Sequence, residues 1–112
     1  MKTLRTNIES KVEQFKAVKN SKSVKDMMDG EILLTTFIHY IDEKDEKKDE
    51  KDTTVISVLG ADGEYHTSTS PTFIHDYLEI IDMFDGCDEE FTIIKASNVS
   101  KAGRTFVYAK LA

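Results

Sequence analysis

A chain of 112 residues, 39% hydrophobic and 32% charged, is long enough for one modest core and too short for two, so a single domain over residues 1–112 is expected. No apolar run is long enough to cross a membrane, and the start, MKTLRTNIESKVEQ, lacks the apolar stretch of a secretory signal. The one cysteine, Cys87, excludes an internal disulfide and suits a reducing compartment, so the expected location is the cytoplasm.

The net charge of −6 hides an uneven layout. Residues 1–28 hold seven basic and three acidic side chains, residues 29–90 hold four and eighteen, and residues 91–112 hold four and none. Both ends are therefore basic and the middle is strongly acidic.

In chain order, the first signal lies in the stretch 1–29. Ile8, Val12, Phe15 and Val18 recur at helical spacing, with Thr6 or Asn7 available as a cap, which predicts an N-terminal helix. From Glu31, EILLTTFIHYI is rich in β-branched and aromatic residues and reads as a long first strand. The run DEKDEKKDEKD from Asp42 to Asp52 has no apolar residue to offer a core and reads as a solvated loop between the first two strands. TTVISVLG is the second strand, Asp62-Gly63 a tight turn, and EYHTS a short third strand.

The period then changes. Ser70 is placed as an N-cap with Pro71 at the first helical position, where a missing N–H costs nothing. Ile74, Tyr77, Leu78 and Ile81 form one stripe, so a helix follows. After DGCDEE, FTIIKAS is a fourth strand, NVSKAG a turn and RTFVYAKLA a fifth strand. Five strands with a helix between the third and fourth, plus an extra N-terminal helix, predict a mainly β (α+β) architecture: an OB-like Greek-key barrel. A generic α+β sheet is the other arrangement compatible with this order.

Strand side chains alternate faces. On the last strand Thr105, Val107, Ala109 and Leu111 form a credible core set, while Arg104, Phe106, Tyr108 and Lys110 share the opposite face. Cations interleaved with aromatic rings suit single-stranded nucleic acid: bases stack on the rings at about 1–3 kcal/mol each and the cations neutralise phosphates. Lys101 in the preceding turn and Lys95 on the neighbouring strand extend the positive edge, and Phe37, His39 and Tyr65 on the first and third strands are further candidates. The competing reading is ordinary core or cross-strand packing, with Phe106 turned toward the helix.

No other chemistry competes strongly. The five glycines are scattered at turns and form no phosphate loop. His39, His66, His75 and Cys87 match no zinc spacing, and His75, Asp76 and Glu79 suit the polar face of a helix. Neither an enzyme nor a cofactor is expected. A rival function uses the acidic middle instead: Asp76, Glu79, Asp82 and Asp85 could mimic phosphates, making the protein an inhibitor of a basic DNA-processing enzyme.

DGEYHTSTSPTFIHDYLEI followed by EEFTIIKASNVSKAGRTFVYAKL resembles the single-stranded DNA-binding proteins encoded by phages of Gram-positive bacteria, over roughly Met28 to Leu111. The resemblance implies a non-enzymatic OB-type protein, a monomer or small homo-oligomer, coating single-stranded DNA in the host cytoplasm during phage replication or recombination, with replication or recombination proteins as partners. Bacterial proteins of this function usually end in an acidic tail that recruits partners. This chain stops at AKLA, so recruitment by that route is not expected.

Overall fold

The fold comes from a computed structural model, which describes residues 1–43 and 52–112. It is mainly β: a curled mixed sheet with two helices, one on each side.

The long strand β3 (Ile32–Asp42) organises the sheet. Along one edge it pairs antiparallel with β4 (Thr53–Gly60), from Phe37↔Val58 to Asp42↔Thr53. Its other edge is shared. The start pairs with β6 (Ile93–Val99) through Ile32↔Ile94 and Leu33↔Ile93, and the end pairs with β1 (Lys2–Thr6) through Lys2↔Ile41 and Thr6↔Ile38.

Between those partners the Asn7 side chain stands in for a strand. Its Nδ2 donates to the Thr35 carbonyl at 2.6 Å and its Oδ1 accepts from Phe37 N–H at 2.9 Å. Backbone groups left over at the change of partner are thereby satisfied. β5 (Tyr65–Ser68) pairs antiparallel with β4, β7 (Thr105–Leu111) antiparallel with β6, and the two-residue β2 (Lys22–Ser23) parallel with β5. The sheet order is β2-β5-β4-β3-β6-β7, with β1 beside β3.

Two helices cover opposite faces. α2 (Pro71–Met83) starts where Ser70 Oγ accepts from Phe73 N–H at 3.4 Å, with Pro71 at the first position. It buries Phe73, Ile74 and Tyr77 against Leu33, Phe37, Ile56, Val58, Ile93, Val107 and Ala109, which form the main core. The Tyr77 hydroxyl donates to the Leu34 carbonyl at 2.8 Å, and burial pushes the phenol pKa up. α1 (Lys11–Lys19) lies on the other face, over Ile38, Tyr40, Val55 and Tyr65.

The strands and the helix read from Glu31 onward occur, but among the described residues the sheet contains seven strands, not five. β1 and β2 fall in the segment expected to be helical. Every β1 side chain is exposed except the half-buried Thr6, so no apolar alternation announced the strand. The cap of α1 is Ser10, whose Oγ accepts from Glu13 N–H at 3.3 Å; Thr6 and Asn7 instead bond to β3. The apolar stripe assigned to this helix is also corrected. Ala17 is its buried residue, while Val12 and Phe15 are exposed. Residues 44–51, most of the charged run read as a loop, lie outside the described residues.

Candidate nucleic-acid interface

β6 and β7 continue beyond the start of β3 as a two-stranded ribbon, closed by the turn Ser100–Arg104. Ser100 N–H donates to the Arg104 carbonyl at 2.8 Å and Gly103 N–H to the Ser100 carbonyl at 2.9 Å. Gly103 has φ +80°, the left-handed region that disfavours a side chain, so a glycine fits this position. The turn holds Lys101 and Arg104 exposed at the ribbon tip.

Alternation along β7 follows the expected division only at its centre, because Thr105 and Leu111, expected in the core, are exposed at the two ends of the strand. Val107 and Ala109 enter the main core, while Phe106 and Tyr108 lie on the outer face, half-buried, with ring centroids 5.9 Å apart and planes tilted by 37°. The register carries this face onto neighbouring strands: Tyr108 stands opposite Ala96 and Phe106 opposite Asn98. Lys110, Ile94 and Ile32 make a row across β7, β6 and β3. Lys110 and Ile32 are exposed and Ile94 half-buried, so the outer face is a shallow apolar platform with cations at the tip and flank. Ile32 and Ile94 were not among the sequence candidates. Only the register, which brings them beside Lys110, marks them.

The remaining candidates are dispersed. Phe37 is 2% exposed, set edge-on to Tyr77 at 5.6 Å within the main core, so it cannot meet a base in this structure. His39 follows on the same face of β3, half-buried near the start of α2, and its buried Nε2 meets no hydrogen-bond partner among the described residues. Burial first, and the Arg5 charge second, lower its pKa. Tyr65 is 7% exposed beneath α1, and its hydroxyl donates to Glu13 Oε2 at 3.2 Å.

Lys95 departs most from expectation. It stands opposite Ala109, on the core face of β6, and is 4% exposed. Its Nζ donates to the Met27 carbonyl at 2.8 Å and to Asp29 Oδ1 at 2.9 Å. Ser97 Oγ donates to the same carboxylate at 2.7 Å, and these two hydrogen bonds, that from Lys95 first, hold the Asp29 pKa below the usual carboxylate range. Lys95 is therefore a structural tether between β6 and the segment before β3, not part of the exposed positive edge. The structure brings together Lys101, Arg104, Phe106, Tyr108 and Lys110, and separates Phe37, His39, Tyr65 and Lys95 from them.

Elsewhere, the carboxylates of the rival acidic reading are partly engaged. Asp82 pairs with Arg5 at 2.6 Å, and His75 Nδ1 lies 3.5 Å from Asp76 Oδ1 and 3.6 Å from Glu79 Oε2. Among the described residues, no helix is long and apolar enough to cross a membrane.

No curated protein and no solved structure matches the chain. Residues 2–112 match the family model described as phage single-stranded DNA-binding protein, of the phi29 type. That match runs through every helix and strand of the described residues, and the chain belongs to the phage single-stranded DNA-binding protein family.

Proposed function

We propose that this protein coats single-stranded DNA without strong sequence preference during phage replication or recombination in the host cell, gripping it on the outer face of the β6–β7 ribbon. The observation that carries the proposal is the exposed side of Phe106 and Tyr108 flanked by Lys101, Arg104 and Lys110, on an otherwise acidic protein. Every base has a flat π-face, so stacking on these rings tolerates any sequence, and the cations follow the backbone. The five strands β3–β7, with α2 between β5 and β6, support an OB-like reading of the sheet in which the β6–β7 turn is one rim of the groove.

Nothing in this role needs a catalytic group, and it agrees with the single-stranded DNA binding that names the family. The acidic remainder would confine DNA to the ribbon by repelling phosphates elsewhere. The phosphate-mimic reading is the weaker one, because it gives no use to the basic aromatic ribbon. The test is competition between single-stranded oligo-dT and the matching duplex for the wild-type protein and for Tyr108→Ala. Preferential single-strand binding that Tyr108→Ala weakens supports the proposal; unchanged binding in the variant places the site elsewhere.

A further inference from the structure

α1 exposes what a surface helix usually hides. Ser57 Oγ donates to the Ala17 carbonyl at 2.7 Å, which seats the Ala17 side of the helix on β4. Two residues is about 200° around a helix, so Phe15 points away from the sheet. It is 62% exposed, and Val12 beside it is 65% exposed. Lys11 and Lys19 stand one turn before and one turn after Phe15 on the same face, about 12 Å apart along the axis.

A groove of about 610 Å³ runs alongside, bounded by Phe15, Lys11 and Lys19 on α1, by Met1 and by Thr3 on β1, with Tyr40 among its lining residues. The charges on its α1 wall, Lys11 and Lys19, are positive. Glu13, the one carboxylate of α1, is drawn off toward the Tyr65 hydroxyl and Lys16, although Asp42 and Glu43 close one end. An open slot with a bare aromatic ring between two cations fits a polyanion that carries flat apolar groups.

We infer that this α1 groove is a second single-strand subsite, where a base stacks on Phe15 and the adjoining phosphates meet Lys11 and Lys19. The inference rests on the function proposed above. Both surfaces lie on the outer side of the sheet, away from the main core: α1 covers Ile38 and Tyr40, and Phe106 and Tyr108 sit opposite the core residues Val107 and Ala109. They are attached at opposite ends of β3, where Lys2 meets Ile41 and Ile94 meets Ile32. The strand between Ile32 and Ile41 spans about 30 Å. A short oligonucleotide can occupy one subsite, and only a longer one can occupy both.

The protein has no Trp, so Phe15→Trp introduces a single reporter. The indole fluorescence of that variant should be strongly quenched by oligo-dT of about thirty nucleotides. Phe15→Ala should weaken binding of that oligonucleotide by about fivefold or more, with an unchanged melting temperature, and the Lys11→Glu, Lys19→Glu double variant should do the same. Phe15→Ala should leave the affinity for oligo-dT of about six nucleotides within about twofold if the ribbon is the stronger site. An unquenched indole in Phe15→Trp together with unchanged Phe15→Ala affinity, in a protein still weakened by Tyr108→Ala, overturns the subsite and spares the ribbon. No wild-type binding overturns both. If Phe15→Ala lowers the molecular mass in solution and leaves DNA affinity unaltered, this face joins two copies of the chain and the inference fails.

Discussion

The rings of Phe106 and Tyr108, 5.9 Å apart on the outer face of β7, flank a residue, Val107, that is buried in the core. One short strand therefore anchors itself and offers two rings outward, so truncating a ring on the outer face need not open the core. Tyr108→Ala is expected to weaken single-strand binding by about 1–3 kcal/mol, and Tyr108→Phe, which keeps the ring, by much less. Anisotropy titrations of a labelled oligo-dT, with thermal melts of each variant, measure the effect apart from any loss of folding.

The cations at the tip and flank act through phosphates, not bases. Lys101→Ala, Arg104→Ala and Lys110→Ala should each lower the slope of log affinity against log salt by about 0.7 or less, whatever the oligonucleotide sequence. Titrations at several salt concentrations separate this behaviour from the stacking variants, which change affinity and leave the slope alone.

Phe37 serves the core. Phe37→Leu should cost stability on the order of 1 kcal/mol, because an apolar side chain remains and the edge-on contact with Tyr77 goes. DNA affinity of the folded protein should not change. Urea unfolding and anisotropy on the same preparation check both halves; a loss of affinity without a loss of stability would return Phe37 to the interface.

The Asp29–Lys95 tether predicts a pH dependence. The Asp29 pKa is depressed in the fold by hydrogen bonds from Lys95 and then Ser97. Its carboxylate therefore stabilises the fold above the unfolded pKa, near 3.8, and that contribution is lost as pH falls through the lower folded value. Asp29→Asn should melt below wild type at pH 7, where it leaves the buried Lys95 ammonium without its counter-charge, and the gap should narrow as the pH is taken below about 4. Melting curves across that range test it.

These particulars show which parts of the structure could be read in advance. β3 to β7 and α2 were legible because their apolar periods, the Ser70-Pro71 start and the turns at Asp62-Gly63 and Gly103 are local signals. β1 was not, since its strand state comes from pairing with β3 and the Asn7 bridge, not from its own side chains. The division of β7 was legible from alternation at Val107 and Ala109, but not at Thr105 and Leu111, which share their face yet lie beyond the part of the strand that α2 and the sheet cover. Which way Lys95 pointed relative to β7 was not, because that depends on register, and the register places it opposite Ala109. Phe37 and Phe106 look alike in the sequence; only the covering of one face by α2 tells them apart.

The central claim is that this acidic protein grips single-stranded DNA through its basic aromatic ribbon. The most direct measurement is anisotropy of a labelled oligo-dT of about thirty nucleotides, titrated with wild-type protein at low and moderate salt beside the matching duplex. Saturable binding to the single strand that weakens as salt rises, with much weaker duplex binding, is the predicted result. Absence of single-strand binding even at low salt, or equal affinity for the duplex, would contradict the account.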